Sequence, residues 1–359
     1  MFGGALSQGR SATSLGNNSL TWETTKGFDI GVDMSLFKNR INITADYYDK
    51  NTNNMLFQVD IPRGTGFSNI PSNIGEFHFW GAEFSITSKN LVGAFKWETS
   101  FNISNNENRV IALGTNNVPL QGADFDSRIR SNWRTAVGHP MGQWFGYVSD
   151  GIYRNKQEFN SQPKAIGSYV GGVRNKDVNG DGVIDTKDLT FIGNPNPKYL
   201  YGLTNTFSYK GFDLNIILQG VSSNQIYYGL FEWTALTQGI FNLDRGQKGR
   251  WRSETNPGNG LYPSTLGGQA GEGFSTRFLD NGAYLAVRNI ALGYTFQLKN
   301  SKIRKARIYG SIQNPFLFTG YRGMNPEASS NGLNGTSQGA DYSPYPIPRI
   351  TSIGLNISL

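Results

Sequence analysis

The sequence predicts an all-β fold, an antiparallel transmembrane β-barrel segment with long extracellular loops, and three observations carry that prediction. Its segments alternate apolar and polar residues over about 11 to 15 positions, against the five or six usual in soluble sheets. The connections between them alternate short and long. No run approaches eighteen apolar residues, which excludes a spanning helix but not spanning strands, whose apolar residues are hidden at every second position.

Taken in order, Phe28, Ile30, Val32, Met34 and Leu36 point one way, and Asp29, Gly31, Asp33 and Ser35 the other. Lys38 and Asn39 turn the chain. Ile41, Ile43, Ala45 and Tyr47 then share one face, with Asn42, Thr44, Asp46 and Tyr48 opposite. Residues 54–76 read as a Gly/Pro/Ser/Asn loop. A second hairpin joins Ala82, Phe84 and Ile86 to Phe95, Trp97, Phe101 and Ile103 through residues 90–94. A third turns at Lys210 and Gly211 between the alternating segments 199–209 and 212–218. A fourth joins Ile290, Leu292, Tyr294, Phe296 and Leu298 to Ile308 and Ile312, and a last strand carries Ile353, Leu355, Ile357 and Leu359. That makes nine strands.

Short turns at 38–39, 90–94, 210–211 and 299–305 face one way, and long connections at 54–76, 108–198, 228–283 and 319–347 the other. This is the layout of an outer-membrane barrel with periplasmic turns and extracellular loops. Parity makes 109–198 one large extracellular excursion unless it hides an even number of further strands. Tyr47, Tyr48, Trp97 and Tyr209 fall near strand ends and read as an interfacial aromatic belt. A soluble sandwich also alternates, but the strands here are long and their polar faces carry Asp, Glu, Lys and Asn throughout, as a wet lumen would.

Composition narrows the function. There are no cysteines, so disulfides, thiolate catalysis and cysteine metal sites are excluded. The net charge of +7 is scattered; its densest cluster, Lys299, Lys302, Arg304, Lys305 and Arg307, lacks the interleaved aromatics of a nucleic-acid site. Two histidines, His78 and His139, lie far apart without metal-ligand spacing. No nucleophile elbow or P-loop is present, and the glycine-rich 267–273 precedes no phosphate-binding helix pattern. An enzyme is not expected. Asp29, Asp33, Asp46 and Glu83 read as hydrated groups lining a pore.

The strongest local motif is the twelve-residue loop DVNGDGVIDTKD at 177–188. Asp177, Asn179 and Asp181 occupy ligand positions one, three and five of an EF-hand-type loop. Gly182 supplies the sharp turn, the Val183 carbonyl the next ligand, and Asp185 and Asp188 the last two. Hard oxygen ligands at this spacing suit structural Ca²⁺. Aromatic residues in the long connections, Trp133, Trp144, Tyr227, Tyr228, Trp233 and Trp251 (with Phe145 and Tyr147), are candidates for stacking on a substrate.

Several stretches, in matching order, resemble the SusC/RagA-type TonB-dependent outer-membrane transporters. They are SLTWETTKGFDIGVDMSLFKNRINITADYYDKNTNNML at 19–56, GHPMGQWFGYVSDGIY at 138–153, and DVNGDGVID with NPNPKYLYGLTNTFSYKGFDL within 177–214. RFLDNGAYLAVRNIALGYTF at 277–296 follows, then SIQNPFLFTGYRGMNPE and YPIPRITSIGLNISL. The resemblance implies the C-terminal part of a plugged barrel of about twenty-two strands. It implies import of oligosaccharides or peptides, a SusD-like surface lipoprotein as lid, and energy from TonB–ExbB–ExbD. Outer-membrane lipid would surround the wall of this Gram-negative protein, and no nucleic acid is involved. After Met1 there is neither a charged n-region nor an apolar core, and no plug domain is recognised. The chain is therefore expected to be the later part of a longer protein. The alternative from composition alone is a secreted, calcium-stabilised carbohydrate-binding β module.

Overall fold

The computed structural model describes residues 14–122, 133–235, 242–265, 273–298, 303–332 and 334–358. Nine antiparallel strands form one open sheet in chain order. They are β1 (Thr24–Leu36), β2 (Ile41–Asp60), β3 (Asn69–Val92), β4 (Phe95–Leu113) and β5 (Tyr199–Tyr209). β6 (Phe212–Ser222), β7 (Tyr284–Gln297), β8 (Lys305–Thr319) and β9 (Ile350–Ser358) complete it, with β1 and β9 at the edges. Among the described residues no helix is long and apolar enough to cross a membrane.

The register explains why these residues pair as they do. Met34, Ile43, Ile86, Phe101, Leu203, Leu218, Val287 and Phe316 are successive partners across β1 to β8, a continuous apolar row. One residue along, Asp33, Thr44, Ser85, Asn102, Gly202 and Gln219 form a polar row on the other face. A slip by one residue would exchange the two faces on every strand. Among the described residues nothing covers the apolar face: Ile30 is 63%, Leu292 54% and Ile353 88% exposed. The polar face is the one onto which the long connections fold.

At the short-turn end the apolar face carries a girdle. Trp97 stacks on Phe207 at 5.9 Å, Phe95 on Phe207 at 6.2 Å, and Phe212 lies 4.5 Å from Tyr294. Trp97 and Tyr209 belong to this girdle, and Tyr47 meets Phe28 at 5.9 Å toward the other edge of the apolar band. Tyr48 does not belong to a belt. It lies on the polar face and donates to Asn106 Oδ1 at 2.6 Å, because neighbouring strand residues point to opposite faces.

The connection expected at 54–76 is shorter than the sequence suggests. β2 runs on to Asp60 and β3 starts at Asn69. The twenty and twenty-four residues of these strands far exceed the 9 to 11 or so that cross a bilayer, so their upper parts stand clear of it. There the inward apolar residues belong to the dome, with Met55 and Phe57 packed against Phe77, and even Pro71 is paired, with Gln58. β4 likewise reaches Leu113, so the excursion placed at 109–198 begins at residue 114. Among the described residues it contains six short strands, none of which joins the wall.

The long connections fold together into one dome. Its core gathers Trp133 and Trp144 from the first, Tyr227, Phe231, Tyr262 and Phe278 from the second, and Ala340 from the third. A three-stranded sheet ties two of them: Gln225–Tyr228 lies between Leu279–Asn281 and Ala340–Asp341. A second core, Phe77, Val110 and Leu113 with Leu120 and Met141 against it, fixes the dome to the upper polar face of β3 and β4. The turn region 299–302, the glycine-rich 266–272 and Leu359 lie outside the described residues.

Candidate functional site

Three features of the sequence acquire geometry. The acidic loop 177–188 closes on itself through its own backbone. Gly180 and Gly182 take φ of 76° and 85°, a region that favours glycine. Asp177 accepts from the Gly180 N–H at 2.7 Å and from the Gly182 N–H at 2.8 Å. Asn179 and Asp181 accept from residues two further on. Asp188 is fully buried and accepts from the amides of Val178 at 2.8 Å and Asp185 at 2.9 Å. Burial pushes the Asp188 pKa up, but the amides of Asp185, Val178 and Asn179 outweigh it and hold the carboxyl below its ordinary value.

The oxygens of this loop suit a hard divalent cation, and a carboxylate oxygen that accepts one N–H keeps a second lone pair. Among the described residues no group of three His, Asp or Glu side chains is arranged to hold an ion alone. Asn179 and the Val183 carbonyl would therefore be necessary members of any ligand set.

The six aromatic candidates separate by burial. Trp133 and Trp144 are 1% and 0% exposed, and Tyr227 is 1% exposed. The two indoles stack at 4.8 Å, and their Nε1 atoms donate to the carbonyls of Gln338 and Gln225 at 2.8 and 2.9 Å. The expectation that these three contact substrate gives way to a packing role, since they present almost no surface to a ligand. Tyr228, Trp233 and Trp251 are half-buried. Trp233 lines a cavity of about 390 Å³ with Leu230, Thr234, Asn242, Tyr342 and Ser343. Trp251 lies elsewhere, donating to the Arg154 carbonyl at 2.8 Å and resting on Gly171, where a Cβ would come within 2.6 Å of the indole. Tyr228 faces the Arg322 guanidinium at 5.5 Å.

Sequence reading missed the partners that shape this region. Arg322 pairs with Asp280 and lies 4.3 Å from the Phe231 ring; Tyr321 donates to the buried Asp341. Burial, then the Asp341 bond, pushes the Tyr321 hydroxyl pKa up. Each residue sits in a long connection with no local pattern, so only the fold brings the pairs together.

The third feature is the polar face itself. Asp46 and Glu83 are direct cross-strand partners, and with Thr44, Ser85, Asn102 and Ser104 they line an open cavity of about 260 Å³. Like charges opposed in a sheet repel, so this face is built for water. The histidines serve separate structures: His78 Nε2 meets Asp49 Oδ2 at 2.8 Å, and His139 stacks on Phe191 at 3.7 Å.

Known proteins share this architecture. Residues 1–315 match the family described as TonB dependent receptor-like, beta-barrel. The chain is 30% identical to TonB-dependent receptor P26 of Formosa agariphila over 95% of its own length and 35% of that protein's. It is 31% identical to the TonB-dependent receptor SusC of Bacteroides thetaiotaomicron over 95% of its own length and 32% of SusC. The chain thus spans about a third of each relative. The solved structure of the RagAB peptide transporter superposes with a TM-score of 0.79 at 20% identity, covering 97% of this chain and 36% of that one. The matched family, the relatives and the two-faced wall agree: this chain belongs to the TonB-dependent receptor β-barrel family, of the SusC/RagA type.

Proposed function

We propose that this chain forms part of the wall, lumen surface and outer dome of an outer-membrane importer for oligosaccharides or peptides. The observation that carries this reading is the sheet's two-sidedness. Its uncovered face is a continuous apolar row, while the opposite face opposes Asp46 to Glu83 and lies beneath the dome. A water-soluble module has no use for an uncovered apolar face of this extent.

In this reading the short turns face the periplasm and the dome faces outward. Substrate meets the half-buried Tyr228, Trp233 and Trp251. A SusD-like lipoprotein closes over the dome, and TonB with ExbB–ExbD supplies the energy for release inward through the hydrated side of the wall. A RagAB structure is described as a peptide transporter, which supports peptides as one of the two substrate classes. The acidic loop binds one Ca²⁺ through Asp177, Asn179, Asp181, Asp185, Asp188 and the Val183 carbonyl, and so pins the first connection of the dome.

The test is uptake. Cells lacking the gene, or lacking TonB, are expected to lose accumulation of labelled oligosaccharide or peptide, and affinity purification is expected to recover a surface lipoprotein. Unchanged uptake of every substrate in both strains contradicts the proposal.

A further inference from the structure

We infer that the membrane face of the β5–β6 hairpin is a binding site for an anionic glycerophospholipid; this rests on the reading of that face as lipid-facing. Phe95, Phe207, Tyr209, Phe212, Leu214 and Leu292 line a largely apolar groove of about 300 Å³ there, with Ser208 and Asp213 at its border. On a wall surrounded by bilayer, such a groove is filled by an acyl chain. What chooses the lipid is the charge at its mouth.

Lys210 and Gly211 make the two-residue turn with φ of 45° and 91°, the paired positive values of a hairpin turn that follows the sheet's twist. The turn sets the Lys210 ammonium 5.2 Å from the Tyr209 ring centre. Tyr209 belongs to the lipid-facing row, so the cation stands on that side, at the depth of the girdle. Asp213 borders the groove, but its carboxylate is engaged on the polar side, where Arg307 Nε donates to it at 2.9 Å. The mouth of the groove therefore presents positive charge to the headgroup layer. A zwitterionic headgroup carries its own cation and gains little there; a phosphatidylglycerol-type headgroup gains the full attraction, about 1 kcal/mol per lysine near the surface.

Trp97 reports on the site, since it stacks at 5.9 Å on Phe207 of the groove wall. The protein carrying this chain, purified in full, is reconstituted in phosphatidylcholine vesicles. Increasing fractions of dibrominated phosphatidylglycerol or dibrominated phosphatidylcholine are then added, and the quenching lost in Trp97→Phe is taken as the local signal. The brominated anionic lipid is expected to reach half-maximal local quenching at about a five-fold lower mole fraction. Lys210→Gln is expected to abolish that preference while leaving quenching by phosphatidylcholine unchanged, and Lys210→Arg to keep it. Equal quenching by the two lipids, or a preference that survives Lys210→Gln, overturns the headgroup site. Absence of local quenching by either lipid overturns the lipid-facing reading itself.

Discussion

Arg307 and Asp213 stand on strands that do not touch, β8 and β6, and their side chains meet over Gly293 of the intervening β7. Asp213 is the register partner of Gly293, and Arg307 the partner of Thr295, on β7. A Cβ at Gly293 would lie 2.5 Å from the guanidinium. The glycine thus leaves the one open path across the strand, and the pair staples three strands from the polar side.

Gly293→Ala is therefore expected to force the Arg307 guanidinium off Asp213 without unfolding the wall. The loss is about 1–2 kcal/mol for a partly exposed charged hydrogen bond. The midpoint of heat-induced unfolding in detergent should fall by about 2–4 °C for each kcal/mol, and Arg307→Met should show the same drop and no more in combination.

Burial separates two kinds of tryptophan. Trp144→Ala removes a fully buried ring from the dome core and is expected to cost about 3–5 kcal/mol of dome stability, read as faster limited proteolysis of residues 114–198. Trp233→Ala, at the half-buried cavity wall, is expected to weaken substrate binding in calorimetry while leaving the proteolysis rate close to that of the parent.

The acidic loop responds to pH through Asp188. Its folded pKa lies below the ordinary value, so protons bind the opened loop more readily than the closed one. The contribution is complete above the unfolded value of about 3.9 and is lost as pH falls through the folded value. Hydrogen exchange at Val178 and Asp185, corrected for intrinsic rate, is expected to accelerate over that fall. Asp188→Ala is expected to give the fast rates already at neutral pH, at a local cost of about 3 kcal/mol.

Calcium at one hundred times its dissociation constant is expected to slow opening of the same loop by about 100-fold, or 2.7 kcal/mol, with a chelator reversing the effect. Asp177→Ala should remove the response. Exchange rates indifferent to calcium would contradict the ion site.

The wall was legible in the sequence because lipid and water on its two faces impose a two-residue period. All nine strands could be read from residues such as Ile41, Ile43 and Ala45 alternating with Asn42, Thr44 and Asp46. Where that demand ends, legibility ends. Residues 54–60 and 69–76 are strand, yet stand above the bilayer; Met55 and Phe57 pack on Phe77 there, but the Pro, Ser, Asn and Gly of 69–76 read as loop. The dome was invisible for a different reason. Its core takes Trp133, Tyr227 and Ala340 from three connections far apart in sequence, and residue type alone cannot tell a buried Trp144 from a half-buried Trp233. The acidic loop was legible in its sharp turn, since Gly182 stands where positive φ is required, but not in the backbone N–H groups that its carboxylates accept from.

One face of the wall meets lipid and the other water, and site-by-site labelling of β2 distinguishes the two. The chain has no cysteine of its own, so single cysteines can be placed at 41 through 46 in an otherwise cysteine-free protein in intact outer membranes. A water-soluble maleimide is expected to react at Asn42→Cys, Thr44→Cys and Asp46→Cys and to spare Ile41→Cys, Ile43→Cys and Ala45→Cys. Equal labelling of both sets, or the reverse alternation, would contradict the account.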